Sequence, residues 1–213
     1  MFGFCVRVNP ALKTVFVCTP KVASTSIEEC LDQLNPSMVL LGGARPGLKH
    51  SDARFTSKHM LPFLRQVYPQ IYFDCFCVVR NPLEWLYSWW RYRSRPELTG
   101  KPVSTSSLFF DQFVYEYLNF IQTGHAAVPS VHLPPQNKFV LDRSSEFVVD
   151  KVFAIDHLEK LESFLSIRSG REIILPKKNV SSVKKQGKTI DLVDGNLLAS
   201  VKDVLRLDFK IKC

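Results

Sequence analysis

The chain has 213 residues, a length suited to one domain and short for two. It carries 28 Lys and Arg against 20 Asp and Glu, a formal net charge of +8, with a pI of about 9.2. Apolar residues make up 46% and charged residues 23%, which excludes wholesale disorder and leaves material for a real core.

The basic excess points to an anionic ligand: nucleic acid, an acidic sugar, a lipid surface or a phosphorylated cofactor. Charge alone does not choose among these, and solubility is the bland alternative. No segment reaches the ~18 apolar residues of a membrane span. Arg7, Asn9, Pro10 and Lys13 interrupt the first twenty residues, so a signal peptide is not expected and a cytoplasmic location is. Cysteines stand at 5, 18, 30, 75, 77 and 213, and reduced thiols are the expectation in that compartment. Cys75 and Cys77 lie two apart on an apolar run, on one face of a strand, and read as small buried hydrophobes.

In chain order, residues 1–8 and 14–19 are β-rich runs joined at Asn9-Pro10, the pattern of a hairpin. Thr14 to Cys18 is continuously apolar after its first residue, as in a strand buried on both faces. Residues 22–34 place Ile27, Cys30, Leu31 and Leu34 on one helical stripe. Residues 41–57 read as a loop, and Ile71 to Val79 as a second buried strand. Pro82 to Arg93 is a helix, with Asn81 as its cap and Pro82 in first position. Residues 94–106 and 124–137 are loops around an amphipathic helix, Ser107 to Thr123, closed by Gly124. Lys138 to Leu141 and Phe147 to Ile155 read as strands, Leu158 to Leu165 and Leu192 to Leu207 as helices. Strands alternating with helices predict an α/β layer fold with a mainly parallel sheet, as a single domain over 1–213.

Two segments carry chemistry. The first, Thr19-Pro-Lys-Val-Ala-Ser-Thr-Ser26, leads from a buried strand into a helix. A helix N-terminus presents unpaired N–H groups and the positive end of its dipole, which favours an anion. Lys21 adds a cation, Ser24, Thr25 and Ser26 add hydroxyls, and small Ala23 leaves the backbone approachable. The same hydroxyls also fit capping boxes, Thr25 with Glu28 or Ser26 with Glu29. The glycine pattern of a Walker loop is absent, which disfavours a nucleotide kinase. The second segment, Val78-Val-Arg-Asn-Pro-Leu-Glu-Trp-Leu-Tyr-Ser88, puts Arg80 at the carboxyl end of a strand, where open α/β sheets bind ligands. Its guanidinium suits bidentate phosphate recognition, and Ser88 lies about two turns into the helix that follows.

The two segments, in this order and about sixty residues apart, resemble the PAPS-dependent sulfotransferases, in particular the branch with carbohydrate 2-O-sulfotransferases and small bacterial members. The likeness continues in Ser57-Lys-His59-Met-Leu-Pro, in Pro135-Gln136 and in Leu175-Pro-Lys-Lys-Asn179-Val-Ser181, and so spans nearly the whole chain. It departs at Ala154-Ile-Asp-His-Leu158, where an Arg-Phe-Glu-like sequence is usual. The resemblance implies a three-layer P-loop-like α/β fold, with a central sheet flanked by helices. It implies that Lys21, Val22, Ala23, Ser24, Thr25 and Ser26 hold the 5′-phosphosulfate of PAPS. Arg80 and Ser88 then hold the 3′-phosphate, with Asn179 as a further contact. Sulfuryl transfer requires a base for the acceptor hydroxyl and stabilised charge on the leaving phosphate, without a metal. His59 is the implied base and Lys21 the catalytic cation; His50 is the runner-up, and His125, His132 and His157 are the remaining imidazoles.

Trp85, Trp89, Trp90 and Tyr92 share a helix with Arg91 and Arg93, with Arg95 just beyond. Core packing with solvated arginines is the first expectation for them, and a ring-stacking surface with a basic rim the second. Together with the lysines at 177–188, the arginines at 91–95 make an acidic carbohydrate a better fit as acceptor than a neutral one, and nucleic acid is not expected. The competing function is a non-catalytic polyanion-binding protein with a degenerate cofactor site.

Overall fold

The computed structural model describes residues 6–34, 38–39, 53–176 and 189–211. In chain order these form β1 (Val6–Asn9), β2 (Thr14–Val17), α1 (Ser24–Leu34), β3 (Met38–Val39), α2 (Ala53–Phe55), a π-turn (Thr56–Met60) and α3 (Leu61–Val67). Then come β4 (Asp74–Val79), α4 (Pro82–Arg93), α5 (Phe110–Thr123), α6 (Asn137–Val140), β5 (Lys151–Ala154), α7 (Leu158–Ser169), α8 (Gly195–Val204) and α9 (Arg206–Lys210). They gather into two compact units. One takes the described residues of 1–80 and 136–180; the other takes those of 81–135 and 181–211.

The first unit holds a five-stranded sheet of order β3-β1-β2-β4-β5. β2, β4 and β5 run parallel, while β1 pairs antiparallel with both β2 and β3. The class is α/β, as the alternation of elements predicts. The hairpin turns where expected: Asn9 Oδ1 accepts from Leu12 N at 3.0 Å, and Lys13 takes a left-handed φ of 54°. On one face of the sheet Phe16, Phe76 and Phe153 pack with Ile27 and Leu31 of α1 and with Leu161 and Leu165 of α7. The Phe16 and Phe76 rings stack at 5.2 Å. Val15, Val17, Cys75 and Cys77, which alternate with them along β2 and β4, are also buried. A sheet covered on both faces explains why its strands read as unbroken apolar runs. Truncating Phe76 in such a core costs about 3–5 kcal/mol.

Polar contacts fix the sheet to its helices. Arg7 of β1 reaches Asp32 at 3.2 Å and Glu28 at 3.6 Å, both on α1. Arg168 of α7 pairs with Asp74 at the start of β4. Asp150 braces β4: its Oδ2 accepts from Cys75 N at 2.7 Å, and its own N–H donates to Cys75 O at 2.7 Å.

In the second unit α4 begins as its sequence dictates. Asn81 Oδ1 accepts from Leu83 N at 3.0 Å and Glu84 N at 3.4 Å, with Pro82 in first position. α5 ends at Gly124, whose φ of 76° supplies the left-handed cap that the sequence called for. The core gathers Trp85, Leu86, Phe113 and Tyr117 with Val201 and Leu205.

Beyond shifts of a few residues at the ends of β4, α5 and α7, and the helix α3 where no element is expected, the structure departs from the sequence reading at the following segments. Of the expected strand Lys138 to Leu141, all but Leu141 lies in the single helical turn α6, which buries Phe139 and Val140. A short apolar run carries no period to separate the two states. The end of the expected 41–57 loop is helical from Ala53 onward, and residues 41–52 lie outside the described ones. The strand expected over 147–155 is confined to Lys151–Ala154, with an isolated bridge at Leu141–Phe147. The final helix breaks at Leu205 into α8 and α9. Among the described residues no helix is long and apolar enough to cross a membrane.

Candidate functional site

The parallel register sets Val17 of β2 opposite Cys77 of β4, and Val79 of β4 opposite Ala154 of β5. The segments that follow these strands therefore leave the same edge of the sheet, with adjacent strands about 4.8 Å apart. From β2 the chain passes through α1 to β3 on one side; from β4 it passes on to β5 on the other. This reversal between neighbouring parallel strands is the position at which open α/β sheets form a ligand crevice.

The segment after β2 has an unusual backbone. Lys21 and Ala23 have φ of 68° and 61°, and Val22 between them does not. Non-glycine residues pay about 1–2 kcal/mol for this conformation. Val22 is fully buried in the core shared by Cys18 and Ile27, which pins the loop while its neighbours turn left-handed. Alternating handedness turns successive backbone N–H groups toward one side and makes an anion-binding concavity. α1 then starts at Ser24, with Ala23 O accepting from Ser26 N at 3.0 Å and Ile27 N at 3.2 Å. Thr25 and Ser26 thus sit inside the first turn, and Ala23 holds the position before it. Thr25 is exposed, Ser24 half-buried and Ser26 buried. Thr19, where the loop starts, is fully buried, and its Oγ1 has no hydrogen-bond partner. A buried hydroxyl in that state costs about 1–3 kcal/mol unless a ligand satisfies it.

Arg80 follows β4, and its peptide is held from both sides by one side chain. Arg80 N donates to Gln136 Oε1 at 2.9 Å, and Gln136 Nε2 donates to Arg80 O at 2.7 Å. Gln136 is 1% exposed and sits at the start of α6, where its carbonyl accepts from Phe139 N at 3.0 Å. α6 in turn packs against α2, the first turn of the helical run that carries His59.

His59 belongs to the π-turn, in which Leu61 N donates to Thr56 O, five residues back. Such turns are rare and concentrate at functional sites. Ala53, Thr56, Met60 and Leu64 are buried by this run, whereas His59 is exposed, its ring 5.4 Å from that of Phe55.

The first unit thus holds Lys21, Val22, Ala23, Ser24, Thr25 and Ser26 together with Arg80 and His59. Ser88 is half-buried on α4 in the second unit. Asn179, His50 and the lysines at 177–188 lie outside the described residues. His125, His132 and His157 are exposed. His132 lies against Phe120 at 5.0 Å, and His157 Nδ1 is 3.1 Å from Glu159 Oε1. The Glu159 carboxyl is held below its ordinary range, first by a backbone hydrogen bond and then by His157. Gln136 is the residue that motif reading undervalued. Its signal was Pro135-Gln136, but a carboxamide that grips a distant peptide leaves no periodic trace.

The aromatic helix follows the core-packing expectation for Trp85, which is fully buried and edge-on to Trp89 and Tyr117 at 6.2 and 6.1 Å. Trp90 Nε1 donates to Leu108 O at 2.9 Å. The arginines lie on the remaining rings: Arg91 over Tyr87, Arg93 over Trp89 and Arg95 over Tyr92, at 5.8, 5.1 and 4.8 Å. Comparison of the chain with family models, curated proteins and solved structures gave no match.

Proposed function

We propose that the chain is a PAPS-dependent sulfotransferase that transfers a sulfuryl group to a hydroxyl of a carbohydrate or small alcohol. The observation that carries this reading is the pairing of two phosphate-suited elements on adjacent parallel strands. After β2 comes a loop with left-handed Lys21 and Ala23, and after β4 comes Arg80. The residues fit the donor: the loop offers turned N–H groups, a cation, three hydroxyl-bearing residues and the orphaned Thr19 hydroxyl. PAPS supplies an activated sulfuryl group on a phosphate leaving group. Lys21 and the N–H groups that open α1 would hold negative charge on the 5′ side, while Arg80 would hold the 3′-phosphate. The His59 imidazole takes the proton from the acceptor hydroxyl. The fold in this reading is the three-layer P-loop-like one, and the location is cytoplasmic. The basic surplus favours an acceptor that bears carboxylates.

Calorimetric titration with PAP tests the reading. Wild type is expected to bind PAP at least tenfold more tightly than Lys21→Ala/Arg80→Ala. Equal affinity overturns it. Salt-steep binding of polyanions without PAP binding supports a polyanion-binding protein instead.

A further inference from the structure

We infer that Gln136 is the positioning residue of Arg80, orienting its backbone so that the guanidinium faces the nucleotide's 3′-phosphate. The inference rests on the sulfotransferase reading for the identity of that phosphate.

Arg80 stands one residue past the end of β4, where the ladder to β5 has closed at Val79 and Ala154. Its N–H and C=O have left the strand, and the next residue already caps α4. A half-buried peptide at such a junction is stabilised by finding partners within the protein. The Gln136 carboxamide provides both, one acceptor and one donor, at 2.9 and 2.7 Å. It acts as an added rung of the ladder, supplied by a side chain. Gln136 is itself immobilised, being 1% exposed and tied into α6, whose Phe139 and Val140 are buried. The peptide plane of Arg80 is thus fixed on either side of its Cα–Cβ bond, and the direction in which the side chain leaves is fixed with it. A phosphate held by two parallel N–H···O bonds requires that direction. Misplacement by about 1 Å at such a site costs on the order of 100-fold. Gln136 does not itself touch the ligand in this account.

The test compares PAP with adenosine 5′-phosphate, which lacks the 3′-phosphate. Wild type, Gln136→Met and Gln136→Glu are titrated with both by calorimetry. Met keeps the length and removes both polar atoms; Glu keeps an acceptor for Arg80 N and loses the donor to Arg80 O. Wild type is expected to prefer PAP by at least tenfold. In Gln136→Met the preference falls to within about threefold while adenosine 5′-phosphate binds as before, and Gln136→Glu lies between. A merely structural role lowers both affinities together, which overturns the inference. A retained preference in Gln136→Met also overturns it and leaves the sulfotransferase reading standing. A wild type without preference removes that reading and this inference with it. Should Gln136→Met not fold, Gln136→Glu decides by the same ratio.

Discussion

Val17 and Cys77 face each other across the parallel ladder of β2 and β4, so Thr19 and Arg80 emerge at one edge of one sheet. The loop between them and α1 owes its shape to Lys21 and Ala23 at positive φ. Ala23→Gly is expected to change stability by less than about 1 kcal/mol, because relief of the left-handed strain is offset by a more flexible unfolded chain. Ala23→Val places a branched Cβ where even alanine is strained. It is expected to cost about 2 kcal/mol in urea unfolding and to weaken PAP binding more than tenfold. A valine variant that binds PAP as wild type does removes the loop from the site.

His59→Ala is expected to abolish sulfuryl transfer and to leave PAP affinity within about twofold of wild type. His59 is exposed and caps no buried group, so its loss leaves the packing of Ala53, Thr56, Met60 and Leu64 intact. A rate within a few-fold of wild type would rule the imidazole out as base.

Cys75 gives the alkaline side of the stability profile. Burial, reinforced by the Asp150 carboxylate, pushes its thiol far above the ordinary range. The raised value belongs to the folded state, so the contribution is complete below the ordinary thiol pKa of about 8.5 and is lost as pH rises above it. Cys30 and Tyr117 are shifted upward by burial too and add to the same slope. Urea midpoints are expected to fall steadily from about pH 9 upward, and less steeply in Cys75→Val than in wild type. A flat alkaline limb contradicts the assignment.

Arg93 is half-buried against Trp89, donates to the carbonyl of Ser130 and has its pKa lowered by desolvation. Arg93→Ala is expected to cost about 2 kcal/mol, since the carbonyl loses a charged donor and the ring loses its cover. Arg93→Lys recovers less than half, because an ammonium cannot lie flat on the indole while reaching the same oxygen. Full recovery by lysine reduces the contact to simple charge.

Where local rules govern, the sequence was readable. Asn81-Pro82 capped α4, Gly124 closed α5, and the apolar runs at 14–18 and 71–79 marked the two central strands. The loop after β2 was legible as a phosphate-suited composition but not as a conformation. Its left-handed positions are occupied by lysine and alanine, where glycines would have announced them. The helical run at 53–67 was hidden for a related reason. The buried set Ala53, Thr56, Met60 and Leu64 has helical spacing, but an alanine and a polar threonine open it, so its first half carries no apolar stripe to read. α6 was too short for its period to show, and the Gln136–Arg80 contact joins residues 56 positions apart.

That contact also has a topological meaning. The chain departs from the first unit at Arg80 and comes back to it at Gln136. The points of departure and return are thus stapled together by a pair of hydrogen bonds at 2.9 and 2.7 Å. The stretch between them is nevertheless not exchangeable as a whole, because Trp85, Leu86, Phe113 and Tyr117 share a core with Val201 and Leu205. Changes of length confined to its exposed loops leave both that core and the Gln136–Arg80 junction in place, and such loops are where insertions are tolerated.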